Sequence, residues 1–423
     1  MGKTLGGYFL LSEKRFQLAL FFLAVLSAVG IATGYDTDSL FYRAMASGRY
    51  DGVPAPFRTR IVTPWLIQQV SVILPVDVAA WLIQIAVGMV FLFGLAKLFQ
   101  LLEIAPEWFW FSAFLAPFVA GVTEPFMPEM LSSALIVWAL VCLQVRQTLG
   151  FLLLCALMGL QRESALLFGL VALPVLYRSN KWAAIGSLPA AAAGLFAAVR
   201  FVGGGASAHQ LSWPVYMLLK IPANISRNVF GFSLWSNVLA DTFGGEPWLK
   251  WASPVKVGAI TEIGVYNWEF GHPVILAGLM TSLFGLAISM LWLRRRSIRQ
   301  EVAEAPPAVA IAFWYGLASL LAAPSLGAGV GRLLCYAWPL PTVGLAWWAH
   351  RTLARSQPLK LLWWHYGFAL AGGVSLSIQE WWPRIILCGL TVAALFGFRR
   401  QWEPLISEQL GSGSDNLAEA ETN

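Results

Sequence analysis

The sequence predicts an all-α fold, a polytopic transmembrane bundle of about 11–13 spans. Three observations point to it. The 423-residue chain is 58% hydrophobic and 12% charged, with a mean hydropathy of +0.66; soluble domains are nearer half apolar and a quarter charged. Apolar runs of span length recur from end to end. The densest Lys and Arg clusters fall in alternate loops, as the positive-inside bias requires.

The expected spans, in order, are 16–33, 78–99, 107–122, 129–146, 151–160, 164–177, 182–201, 273–293, 308–323, 333–349, 359–376 and 385–398. With the N-terminus inside, the inside loops hold Lys97, Arg146, Arg178 with Lys181, Arg294-Arg295-Arg296 with Arg299, Arg351 with Arg355 and Lys360, and Arg399-Arg400. Both termini are then cytoplasmic. Lys3, Lys14 and Arg15 before the first run resemble a signal sequence. No small-x-small cleavage site follows, so a retained first helix is expected. Residues 1–402 read as one transmembrane domain with long outside loops at 34–77 and 202–272, and 403–423 as a polar, acidic, disordered cytoplasmic tail. The aromatics of 202–272 argue for order there.

Two places depart from simple spans. Runs 151–160 and 164–177 are each too short for a hydrocarbon core of about 30 Å at about 1.5 Å per residue. They read as one broken hairpin whose tip, Gln161-Arg162-Glu163, ends against something polar, since non-helical backbone at depth needs protein or a wet cavity. The segment 63–73 reads as a helix lying at the outer surface, with Pro64 near its start.

The four cysteines (Cys142, Cys155, Cys335, Cys388) share no metal spacing and read as small buried hydrophobes. His209, His272, His350 and His365 likewise show no ligand spacing, so a structural role is expected. Trp381-Trp382 reads as part of an interfacial aromatic belt. A net charge of +6 is not evidence for nucleic acid: in such a chain it reflects inside loops and any anion site.

Chemistry gathers in the first outside loop. Asp36 and Asp38 precede Tyr42 and Arg43, and Arg58 and Arg60 follow. Further outside turns bring Glu124, Glu129, Arg162, Glu163 and Arg332. Arginines on the outside run against the positive-inside trend, and Arg is the residue for bidentate phosphate recognition. A carboxylate beside a phosphate site can serve as a general base. The plainer readings are specific. Asp36 can end a helix, and Asp38 can N-cap the next one. Arg43 and Arg49 can face lipid headgroups. Arg60 and Arg162 can pair internally with Glu163 or Glu124. Glu129 can sit at a helix start, where the dipole favours an acid. Arg332 can reach the interface.

The run Asp38-x-x-x-Tyr42-x-x-x-Ala46 resembles the D-x-x-x-Y-x-x-x-A signature after the first helix of GT-C superfamily membrane glycosyltransferases. Pro56-Phe57-x-x-Arg60-x-x-x-Pro64 resembles the P-F-x-x-R-x-x-x-P segment of many bacterial members. The resemblance covers the first loop, and beyond it only architecture. It implies a GT-C-like fold and a bacterial inner-membrane enzyme. A sugar would move from a polyprenyl-phosphate donor to a lipid-linked or cell-envelope acceptor on the outer face. Asp38 is then the catalytic carboxylate. Asp36, Tyr42, Arg58, Arg60, Glu124, Arg162, Glu163 and Arg332 form the substrate site. In metal-dependent members the second acidic position falls in the second outside loop, where Glu124 and Glu129 stand, but no cofactor is expected here. The oligosaccharyltransferase W-W-D-x-G motif is missing. Two other functions stay open: an O-antigen polymerase or ligase, and a non-enzymatic transporter or flippase for an anionic lipid. A transporter would favour paired repeats, and no internal repeat is found.

Overall fold

In the computed structural model, the described residues are 37–53, 57–104, 125–202, 221–236, 255–257, 260–268, 271–293, 298–326, 333–352, 367–368, 371, 382–398 and 400. The chain is predominantly helical. The expected spans 16–33, 107–122 and 359–376 and the tail 403–423 lie wholly or almost wholly outside the described residues, as do Asp36, Glu124 and Arg332.

The first described helices are α1 (Thr37–Ala46), α2 (Val62–Ser71) and α3 (Val76–Leu101). A 3-10 turn over Phe57–Thr59 leads into α2. Next come α4 (Glu129–Gln144), α5 (Thr148–Gln161), α6 (Ala165–Leu176) and α7 (Lys181–Phe201). The later helices are α8 (Gly271–Leu293), α9 (Ile298–Glu304), α10 (Pro307–Leu326), α11 (Ala346–Thr352) and α12 (Trp382–Phe398). Among the described residues, α3, α7 and α10 are long and apolar enough to cross a membrane, while α4, α5, α6 and α12 are shorter apolar helices.

Their packing follows from small residues. Gly159 on α5 faces the Ala191 carbonyl on α7, and Gly194 on α7 faces the Ala156 carbonyl on α5. A methyl group at either position would overlap that backbone. Helices surrounded by lipid gain little from apolar burial, so close backbone approach over Gly and Ala holds such pairs together. Gly169 likewise brings α6 close to Leu188 of α7, less tightly: a Cβ there would lie 2.9 Å from its Cα. The α5–α6 hairpin thus lies flat on α7.

One large apolar cluster runs from Val87 on α3 through α4–α6 to Trp338 and Trp348. A second, smaller one joins Tyr42, Met45, Ile61, Ile67, Ala79, Phe126, Met127 and Ala198. The segment 37–79 is therefore a packed cap. Its α2 is a helix of 10 residues, shorter than a span, with Thr63, Pro64 and Ile67 inward and Trp65 exposed.

Two expectations are corrected. Residues 333–349 do not form a regular span. A 3-10 turn (Cys335–Ala337) and a wider π-type turn (Leu340–Leu345) precede α11, because Pro339 and Pro341 remove helix hydrogen bonds in turn. The 202–272 loop adds to the helical bundle a three-stranded antiparallel sheet, order β1-β3-β2, from Phe232–Ser236, Val255–Val257 and Ile260–Trp268. β1 pairs Phe232 with Trp268, with a bulge between Ser233 and Leu234. Ahead of β1, Asn224 and Asn228 donate to the Ser325 and Pro324 carbonyls, at 3.0 and 2.8 Å. They satisfy carbonyls that the end of α10 leaves without partners.

Candidate functional site

Four stretches distant in sequence meet above the α5–α6 hairpin. α1 presents Tyr42, fully buried, and carries half-buried Asp38 one turn earlier on the same face. The turn after Phe57–Thr59 delivers Arg60, the start of α4 delivers Glu129, and the hairpin tip delivers Gln161, Arg162 and Glu163.

Arg60 is the hub. Its Nη1 donates to the Tyr42 hydroxyl at 2.8 Å and its Nε to Glu163 at 3.1 Å. Its Nη2 donates to the other Glu163 oxygen, completing a bidentate pair. The guanidinium also lies 5.5 Å from the Phe57 ring centre. Arg162 pairs with Glu129 at 2.8 Å, both side chains over nine-tenths buried. It donates as well to the Tyr336 hydroxyl, 4.4 Å from that ring's centre. Gln161 ties the cap down: its amide donates to Thr63 Oγ1 at 2.6 Å and to the Pro128 carbonyl at 3.1 Å. Its carbonyl accepts the Thr63 N–H at 3.1 Å. Ile61, at the N-cap of α2, has no capping oxygen, so Gln161 supplies that acceptor from 98 residues away.

Charge and burial oppose one another here. Burial disfavours ionised Glu163, but Arg60 and Arg162 outweigh it and hold the carboxyl down at about 2. Burial also opposes charge on Arg60, and Glu163 more than compensates, raising it well above its ordinary value. Burial raises the Tyr42 phenol against the pull of Arg60, so it stays protonated and accepts from Arg60. The Glu163 side chain keeps 41% of its exposure, so the cluster has one solvent-facing member.

Depth can be read from α7. Exposed Trp182 and Phe201 bracket the helix, about 28 Å apart along its axis, close to a hydrocarbon thickness. Ala198 in its last turn packs in the same cluster as Tyr42. The ionic cluster thus packs beside one end of α7.

The sequence-predicted residues divide. Tyr42, Arg60, Arg162 and Glu163 come together, with Glu129 added, while Asp38 is placed only one turn before Tyr42 on α1. Internal pairing is what Arg60 and Arg162 show, Arg60 with Glu163 and Arg162 with Glu129; Glu124 lies outside the described residues. Arg43 forms a bidentate pair with Asp77 at the start of α3, at 3.0 and 2.8 Å, and its side chain stays exposed. Arg58 stands aside, 3.7 Å from Asp51. Sequence reasoning missed Thr63 and Tyr336 as partners. Nothing in their neighbourhoods sets them apart from other aromatics and hydroxyls. Among the described residues no group of His, Cys, Asp or Glu is arranged to hold a metal ion.

No family model, curated protein or solved structure matches this chain.

Proposed function

We propose that the chain is an integral-membrane glycosyltransferase of GT-C type, multi-pass in a bacterial inner membrane with both termini cytoplasmic. It moves a sugar from a polyprenyl-phosphate donor to a lipid-linked or cell-envelope acceptor at the outer face. One observation carries the reading: Tyr42, one turn after Asp38 on the same face of α1, accepts from Arg60 in a buried arginine–carboxylate cluster beside one end of α7. Ionisable groups are costly inside an apolar bundle, and their default reading is functional. Further support comes from the ends of the helices. Contacts join α1, the Arg60 turn, the α5–α6 tip and Tyr336 at one end. Asn180 reaches Thr148 at the other, at 2.8 Å. These groupings agree with the threading that the basic loops demand.

In the reaction, the acceptor hydroxyl oxygen attacks the anomeric carbon and its proton passes to the Asp38 carboxylate. The bond from that carbon to the phosphate oxygen breaks, and polyprenyl phosphate leaves with the electron pair. Negative charge grows on the leaving group, where guanidinium groups stabilise it. The test uses the purified chain in proteoliposomes with polyprenyl-phosphate-linked sugars and an envelope lipid extract as acceptor. Asp38→Asn should abolish transfer while its elution profile and melting curve stay those of the parent. Near-normal transfer by that variant would overturn the mechanism.

A further inference from the structure

The guanidinium groups at the cap are unequally committed. Arg60 uses three nitrogens on Glu163 and Tyr42. Arg162 is engaged by Glu129 and Tyr336. Arg43 is forked onto Asp77. These three are held by the protein's own groups, and a buried arginine so satisfied gives up its partner only at a cost.

Arg58 is different. About four-fifths of its side chain is buried, yet among the described residues its one ion-pair contact is with Asp51 at 3.7 Å, longer than a hydrogen bond. Asp51 itself is fully exposed, in the turn before Gly52. The Arg58 Nε is buried and has no hydrogen-bond partner. A buried donor without a partner is rare in folded proteins, and it leaves Arg58 uncommitted where the other three guanidinium groups are held. Arg58 lies two residues from the Arg60 hub, on the 3-10 turn that packs against α1, with Phe57 stacked on Phe41 at 5.1 Å. Its neighbourhood is charged and open to solvent on the Asp51 side.

We propose that Arg58, rather than Arg60 or Arg162, is the contact for a phosphate monoester, and that Asp51 is the carboxylate this anion displaces. Arg60 and Arg162 are then positioning residues that fix the loop and the hairpin. The planar guanidinium suits the ligand: its two Nη nitrogens present a fork that phosphate oxygens accept, with Nη2 on the side of the exposed Asp51. This assignment deepens the proposed transfer reaction and rests on it for the identity of the lipid, though not for the anion chemistry.

The probe is farnesyl phosphate, added to the full chain in detergent, with binding read from tryptophan fluorescence. Inorganic phosphate and farnesol serve as separate arms. Arg58→Gln should weaken farnesyl phosphate binding about ten-fold or more, since hydrogen bonds to charged groups are that strong. Asp51→Asn, at a fully exposed position, should tighten binding about two- to five-fold by removing the competing carboxylate. It does so without disturbing the fold. Competition by inorganic phosphate at similar concentration assigns the site to free phosphate; weak competition assigns it to a lipid headgroup. Parent-like affinity in both variants would overturn the assignment, as would failure of the parent chain to bind either phosphate. Farnesyl phosphate binding that depends on Arg58, in a protein that transfers no sugar, would end the glycosyltransferase reading and leave the anion site standing.

Discussion

At the scale of the residue, the cluster makes two measurable demands. Glu163 has its carboxyl pKa lowered from an ordinary 4.5 to about 2 by the arginines around it. A lowered carboxyl contributes stability that is complete above the ordinary value and is lost as pH falls through the folded one. The melting temperature of the solubilised chain should therefore drop between pH 4.5 and 2, and Glu163→Gln should flatten that part of the profile. The Arg162–Glu129 pair is buried on both sides. Glu129→Ala strands a guanidinium and should cost about 3–5 kcal/mol in stability. The double change Arg162→Met with Glu129→Leu should recover most of that loss, as thermal unfolding of the two variants would show. The identity of the acids was half legible in the sequence. Arg60 with Glu163 was among the pairings that outside arginines suggested. Arg162 with Glu129 was not, because Glu129 sits at a helix start where the dipole already accounts for an acid.

At the scale of the element, glycines set the geometry that brings the tip of the hairpin to the cap. Gly194 leaves no space for a side chain against Ala156, while Ala193 beside it is exposed. Gly194→Ala should cost about 1–3 kcal/mol by forcing α5 away from α7. Ala193→Leu, facing lipid, should be close to neutral. Yield of monodisperse protein and melting temperature report both. Apolar length and charge made α3, α4, α7 and α10 readable from the sequence. The weakness of 151–160 and 164–177 as spans was readable too, and they form a short hairpin. The irregular turns over 335–345 were not read from the sequence, although two prolines two residues apart signal them. The sheet of 232–268 was foreseen only as order. β1 and β2 are short, β1 is distant in sequence from its partner β3, and the two pair through a bulge, so no local period announces the sheet.

At the scale of the whole molecule, the proposed threading places the α1–α2 cap and the α4–α5 turn on opposite faces of the membrane. Val72 and Leu149 are exposed at these two places, by 81% and 71%. With the native cysteines replaced by serine, Val72→Cys in intact spheroplasts should react with a membrane-impermeant maleimide. Leu149→Cys should react only after the membrane is opened. The same reagent reaching both in intact cells would refute the threading. The partnership of Arg60 with Glu163, across 103 residues, also has a history in time. At about 5–20 residues per second, the ribosome makes Arg60 roughly 5–20 s before its acid exists. Through that interval the nascent cap holds a cation with no counter-charge of its own. A chain arrested before residue 163 is thus left with a defect that the cell's quality control can detect, whereas one released later has closed it.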